Sequence, residues 1–294
     1  IENAPMSKYT SFKAGGNAKA LINVTSIEDL KALLVLFHEK NIKHMILGNG
    51  SNTLFKDGGY DGIVLRNAIE GEISYEKNPS ELQMGEKCQV TVSGTGILLS
   101  VLARAVAAES LTGLEFASGI PGSLGGALFM NAGAYGGEMV QVVKTVRVIS
   151  PDGKEDKIFT NEEMELSYRH SILEENGYIA VEATLELTKG DKAAILAEMK
   201  ELATKRNTKQ PVTYPSAGST FKRPEGHFAG KLVEDAGLKG VSVGGAEVST
   251  LHSGFIINKG GATATDILEL IALVQNRVYD EFGVELKPEV RIIG

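Results

Sequence analysis

The chain has 294 residues, 43% of them hydrophobic and 23% charged, and a formal net charge of −7 at pH 7. That length predicts two or three packed units, with enough core to fold without covalent staples. The acidic balance speaks against nucleic acid or an anionic membrane as the main partner, and a single cysteine, Cys88, excludes an internal disulfide framework and a cysteine metal site.

In chain order, AKALINV (18–24) predicts a strand behind Gly15 and Gly16. Ser26 and Asp29 have the form of a helix start, and Ile27, Leu30, Leu33, Leu34 and Phe37 follow at helical spacing. KHMIL (43–47) predicts a strand that runs into GNGSN (48–52). Short strand-like runs come next: GIVL (62–65), ISYE (73–76), ELQM (81–84) and CQVTVSG (88–94). Ile97, Val101, Leu102, Ala105 and Val106 predict a helix over 97–110. After a glycine-rich stretch at 113–137, TVRVIS (145–150), the PDG turn and EDKIF (155–159) predict a hairpin. Thr160 and Glu163 suggest a second capping box, and 178–188 a strand. From Asp191 a helix carries Ile195, Leu196, Met199 and Leu202. A second helix is expected near 229–237, then strands, then a long amphipathic helix over 266–282 ended by Gly283. ELKPEVRIIG (285–294) predicts a final strand. The class is α+β, with cuts near 66 and 190 and no flexible linker at either.

The 34 glycines cluster at 48–62, 113–137 and 218–261. In GNGSN, following a strand, two glycines around Asn49 let successive N–H groups converge on a phosphate; a plain Asn-Gly turn is the simpler alternative. Gly119, Gly122, Gly125 and Gly126, continued by Asn131, Ala132, Gly133 and Gly136, carry too little side chain to form a core. Such backbone suits a large flat ligand. No GxGxxG opens a helix, so the usual dinucleotide fingerprint is missing. The five histidines, His38, His44, His170, His227 and His252, form no tight ligand pair, and no metal is expected. Lys200, Lys205, Arg206, Lys209, Lys222, Arg223 and Lys231 stand against Glu201 and Glu225. One basic patch on an acidic chain points to an anionic ligand. No apolar run reaches a membrane span, and no signal-peptide pattern is visible.

Seven ordered motifs carry a resemblance: YTSFKAGG (9–16), LGNGSN (47–52), GLEFASGIPGSLGGALFMNAGAYGGE (113–138), SYRHS (167–171), PSAGSTFKRPEG (215–226), AGKLVEDAGLKG (229–240) and PEVRIIG (288–294). In this order the chain resembles the UDP-N-acetylenolpyruvoylglucosamine reductases, in the branch without a long substrate-capping insertion. The resemblance implies an FAD-binding fold of the vanillyl-alcohol oxidase (PCMH) type in two subdomains, 1–66 and 67–189, with strand 286–294 returning to the first. A C-terminal α+β substrate domain would span 190–285. It implies non-covalent FAD with its pyrophosphate on Gly48, Asn49, Gly50, Ser51 and Asn52. Gly119, Ile120, Gly122 and Ser123, with Asn131, Ala132, Gly133 and Ala134, would line the rest, while His170 is read as structural. The implied reaction is NADPH-dependent, FAD-mediated reduction of an enolpyruvyl ether in peptidoglycan precursor synthesis. NADPH and the UDP-sugar would alternate in one site. Ser219 would protonate C2, Arg169 would hold the carboxylate, and Glu289 would assist the enol intermediate. Lys222, Arg223 and Tyr168 would meet the substrate. Taken singly, Ser219 is a turn serine, Arg169 an ion-pair former and Glu289 a loop carboxylate; only the joint match gives them roles. A cytoplasmic monomer is expected, with no nucleic-acid or membrane partner. Another FAD-dependent oxidoreductase of the same fold, acting on a different small substrate, is the competing reading.

Overall fold

The computed structural model describes residues 1–294. In chain order the elements begin with β1 (Glu2–Pro5), β2 (Asn17–Val24), α1 (Ile27–Glu39), β3 (His44–Leu47), β4 (Thr53–Phe55) and β5 (Tyr60–Asn67). They continue with β6 (Ile73–Tyr75), β7 (Lys87–Val92), α2 (Leu99–Ala108), β8 (Leu111–Thr112), α3 (Leu124–Phe129), β9 (Gly133–Ala134) and β10 (Gly137–Glu138). Next come β11 (Val143–Ile149), β12 (Asp156–Thr160), α4 (Leu173–Asn176), β13 (Ile179–Lys189) and α5 (Lys192–Lys209). The chain ends through α6 (Ala229–Asp235), β14 (Ser242–Val243), β15 (Ala246–Val248), β16 (Ile256–Asn258), α7 (Ala264–Phe282) and β17 (Arg291–Ile293).

These elements form two units interleaved in sequence. The first comprises Ile1–Leu21, Gly50–Ile63 and Arg206–Gly294; the second comprises Ile22–Asn49 and Val64–Lys205.

In the first unit, β1 pairs antiparallel with β2, placing Ala4 opposite Ala18. β14, β15 and β16 form an antiparallel sheet in that order. α7 packs on it because Ile267, Leu270, Ile271, Val274 and Val278 recur at helical spacing and are all buried. Thr263 and Asp266 cap its start reciprocally, and Gly283 ends it at φ 67°. Phe12, Ala14 and Leu54 join Phe221, Leu232, Val248 and α7 in one core. The C-terminal strand β17 pairs parallel with β4, Arg291 against Thr53 and Ile293 against Phe55.

In the second unit the main sheet runs β12-β11-β13-β7-β6, each pair antiparallel. β13 alternates buried and half-buried residues along most of its length, as expected of a central strand with one packed face. Val90, Val92, Val146, Val148 and Leu185 meet Leu102, Val106, Leu124 and Leu128 of α2 and α3 in its core. The Ser26 hydroxyl accepts the Asp29 N–H at the start of α1, whose Leu30, Leu34 and Phe37 are buried.

Local expectations and structure part company at four places. ELQM is not a strand: Asn78 caps a 3₁₀ turn at Pro79–Glu81, and Met84 is exposed. The Thr160–Glu163 box forms, with Thr160 N–H donating to Glu163 Oε2 at 2.8 Å and Glu163 N–H to Thr160 Oγ1 at 3.2 Å, but only turns follow it. In α5 only Ile195 is buried, while Leu196 is exposed. Of the tail, only Arg291–Ile293 is a strand.

Candidate active site

In the second unit Gly48 and Asn49, the start of GNGSN, follow β3 directly. A Cβ on Gly48 would stand 2.6 Å from Ser123 Oγ, so any larger residue would have to displace that hydroxyl. Ser123 Oγ also accepts the Gly126 N–H at the start of α3. Asn49 Nδ2 donates to Pro121 O at 2.6 Å. The backbone N–H groups of Asn49, Gly122 and Ser123 donate to no acceptor of the protein. Backbone donors left open beside a side-chain-free surface suit a phosphate ester. The residues present therefore fit the dinucleotide that the motifs imply.

The second glycine-rich loop is tied to the SYRHS motif. Asn131 is fully buried at φ 45°. Its Nδ2 donates to Glu138 Oε2 and to Ser167 O, both at 3.0 Å, and its Oδ1 accepts Val140 N–H at 2.9 Å. This side chain is wholly engaged by protein, so its part in a cofactor site is to shape the loop that presents Ala132, Gly133 and Ala134. Ser167 and His170 bond to each other through their backbones, making Tyr168 and Arg169 a two-residue turn. Arg169 takes φ 54° there, a conformation usually left to glycine or asparagine. Its Nη2 reaches Gly133 O at 3.4 Å and its guanidinium lies 5.0 Å from the Tyr168 ring centre. A strained non-glycine residue held at a loop tip is a feature of functional sites.

The first unit organises Ser219 and Glu289 by strand register. Phe221 and Pro288 form an antiparallel bridge, flanked by Lys222 N–H to Lys287 O and Glu289 N–H to Thr220 O, both 2.8 Å. Glu289 therefore lies across from Thr220, the residue that follows Ser219. Asn52 Nδ2 donates to Glu289 O at 3.0 Å, and Arg291 N–H to Asn52 O at 3.0 Å. Asn52 of GNGSN thus meets the PEVRIIG motif in this unit. Gly50, at φ 65°, lies against Tyr9, where a Cβ would come within 2.0 Å of the carbonyl oxygen. Ser11 Oγ donates to Ser51 O at 3.2 Å, while the N–H groups of Gly50 and Ser51 donate to no protein acceptor. Ser219 is exposed, whereas Thr220 and Phe221 are buried and anchor it. Arg223 lies 4.0 Å from the ring centre of exposed Phe228 and donates to His227 O at 3.3 Å. Lys222 is half-buried beside it.

Sequence reasoning missed Thr220, whose backbone is the hub of this arrangement, and His252, taken up below. A buried threonine at the centre of a strand pairing leaves no mark that a turn threonine would not leave.

A family model described as UDP-N-acetylenolpyruvoylglucosamine reductase, C-terminal domain, matches residues 210–293. Another, described as FAD binding domain, matches residues 18–157. The chain is 50% identical over 291 residues to the UDP-N-acetylenolpyruvoylglucosamine reductase of Alkaliphilus oremlandii, spanning 99% of this chain and 92% of that protein. It is 51% identical over 292 residues to that of Clostridium novyi, spanning 99% and 91%. A crystal structure of UDP-N-acetylenolpyruvylglucosamine reductase (MurB) from Thermus caldophilus superposes with a TM-score of 0.80 at 34% identity, covering 99% of this chain and 98% of the other. With two family models and full-length relatives in agreement, the chain belongs to the UDP-N-acetylenolpyruvoylglucosamine reductase family.

Proposed function

We propose that this chain reduces UDP-N-acetylglucosamine-enolpyruvate to UDP-N-acetylmuramate, with FAD as cofactor and NADPH as co-substrate. The observation that carries the reading is identity of about half over 99% of the chain with reductases named for that substrate. When bound, FAD supplies a two-electron relay between NADPH and C3 of the enolpyruvyl group. The open N–H groups of Asn49, Gly50 and Ser51 receive the pyrophosphate, with Gly48 keeping the approach clear and Asn52 bracing the loop through Glu289. Gly119, Ile120, Gly122 and Ser123, together with Ala132, Gly133 and Ala134 on the loop shaped by Asn131, line the rest.

The substrate's carboxylate needs a planar cation, and Arg169 presents its fork from a rigid turn. Ser219 Oγ gives its proton to C2. A serine is a weak acid, so its placement by Thr220 and the basicity of C2 once C3 has taken the hydride must carry the step. Glu289 supports the charge that builds on the enolate oxygens. Lys222, Arg223 and Tyr168 meet the nucleotide diphosphate and sugar. We assign two FAD-binding subdomains, 1–66 and 67–189, and a substrate domain, 190–285. The product feeds wall peptidoglycan, hence cell shape and division, and the enzyme acts as a cytoplasmic monomer, in keeping with its lone free Cys88.

The test is anaerobic. NADPH bleaches the flavin band of the holoenzyme, and UDP-N-acetylglucosamine-enolpyruvate restores it. In Ser219→Ala bleaching persists, while the return slows by about 10²–10⁴-fold, the usual worth of a placed proton donor. Bleaching with no substrate-driven return in the parent would mean a flavoenzyme of other specificity. Failure to bind FAD would overturn the reading altogether.

A further inference from the structure

We propose that His252 is a positioning residue for Ser219, acting through Gly254 and Thr220. The inference rests on the role given to Ser219 above, and its own geometry lies within the first unit. His252 Nδ1 accepts the Gly254 N–H at 3.1 Å. The Gly254 carbonyl in turn accepts the Thr220 N–H at 2.8 Å, and Thr220 Oγ1 accepts the Ile256 N–H at 3.0 Å. Thr220 O takes the Glu289 N–H on the other side. The amide that follows Ser219 is thus clamped between the 252–256 turn and the strand bearing Glu289, and the imidazole sets the turn.

The ring itself is held firmly. It stacks edge-on to Phe255 with centroids 4.9 Å apart. It also packs against Gly230 and Gly254, where added Cβ atoms would stand 3.4 and 3.0 Å from its Cε1. Ser253 Oγ bonds Gly230 O at 2.7 Å, and Ser249 Oγ accepts the His252 N–H at 3.3 Å. None of these contacts serves as a metal ligand or surface ion pair. What distinguishes the imidazole is the acceptor at Nδ1, which only the neutral ring offers. The charged groups facing it are Glu234 of α6 and Lys239, which pair with each other at 2.7 Å. Burial, with Lys239 adding to it, holds the imidazole below its ordinary value of 6.5, against the opposing pull of a backbone hydrogen bond and Glu234. The ring is therefore neutral at neutral pH, and the acceptor is lost as pH falls below about 6.5 through the lowered value.

Two variants separate acceptor from packing. His252→Phe keeps a ring and removes the acceptor. His252→Asn supplies a carbonyl able to take the N–H two residues on, as asparagine does in Asx turns. Hydrogen exchange of the peptide covering 215–226 reads the clamp without catalysis, and the two flavin half-reactions of the holoenzyme read its use. In His252→Phe, exchange at Thr220 accelerates and flavin reoxidation by the enolpyruvyl substrate slows at least tenfold. Reduction by NADPH stays within about twofold in the same variant, and His252→Asn restores both exchange and reoxidation. The parent's reoxidation also declines on the acid side with a limb that His252→Asn lacks. Should His252→Phe not fold, that limb decides: its persistence in His252→Asn overturns the proposal. Unchanged exchange at Thr220, or faster exchange with undiminished reoxidation, overturns it as well. A parent holoenzyme that the enolpyruvyl substrate does not reoxidise marks failure of the functional reading instead, because Thr220 exchange still reports the clamp.

Discussion

At the scale of single residues, Arg169 joins backbone strain to chemistry. Its φ of 54° at the tip of a two-residue turn is a position where glycine would rest without cost. Replacing it with glycine removes strain of order 1 kcal/mol along with the guanidinium. The expected outcome for Arg169→Gly is an apoprotein that melts no lower than the parent, yet turns over no enolpyruvyl substrate. Differential scanning fluorimetry beside the half-reaction assay checks both. Arg169→Lys keeps charge and strain but loses the fork. Its KM for the enolpyruvyl substrate should rise about 10–100-fold, the worth of one charge-assisted hydrogen bond. Asp156 shows the same economy in electrostatics. Its carboxylate takes two hydrogen bonds from Arg147, at 2.9 and 2.8 Å, and one from Lys31 at 2.5 Å. The Arg147 hydrogen bond, with Lys31 and the charge of both cations, outweighs burial and holds the group far below the usual carboxylate range. A depressed folded value means stability that is fully present above the unfolded value near 3.8 and lost as pH falls below it. Thermal unfolding of the second unit should therefore weaken between about pH 4 and pH 2. In Asp156→Asn that acid slope should flatten, and a slope equal to the parent's would contradict the assignment.

At the scale of elements, α7 is fastened from outside its own sequence. Asp57 accepts the Ala264 and Thr265 N–H groups, each at 2.8 Å, and the Thr265 hydroxyl at 2.6 Å. Four N–H groups at a helix start lack partners within the helix, so a borrowed carboxylate stabilises it. Asp57→Ala should cost about 0.5–2 kcal/mol in urea unfolding, with little change in the slope of the transition. How much of this was legible depends on distance along the chain. α1 and the end of α7 could be read because period, Ser26 and Gly283 act within one turn. Asp57 capping Thr265 could not, since the partners lie far apart in sequence. The box at Thr160 and Glu163 was read and exists, but nothing helical follows, because Met164 turns inward and its carbonyl accepts the Ile172 N–H. The helix expected from Ile195, Leu196, Met199 and Leu202 forms as α5, yet only the first of these is buried. The motifs around Ser219 and Glu289 were recognisable, but their juxtaposition was not. It follows from the register of Phe221 on Pro288, and pairing across such a separation is set by packing rather than local preference.

At the scale of the whole molecule, the first unit draws its core from three separated segments. Phe12, Ala14 and Leu54 pack with Phe221, Leu270 and Val274, and β17 needs β4 as its partner. The piece from 206 to 294, although it contains the C-terminal family match, carries neither Phe12, Ala14 and Leu54 nor β4. Expressed alone it should give poorly dispersed amide resonances and no cooperative melt. Adding back residues 1–63 in a permuted chain should restore both. A fragment that folds cooperatively by itself would mean that the three segments are less interdependent than their shared core implies.

The pairing of β17 with β4 also bears on how the chain is made. A ribosome releases Thr53–Phe55 roughly 240 residues ahead of Arg291–Ile293, an interval of roughly 10–50 s at ordinary elongation speeds. In the later part of that wait, once Lys205 has been made, the second unit can already close. The early strand stays an open edge beside exposed Phe12 and Leu54, a target for chaperones or for a neighbouring nascent chain.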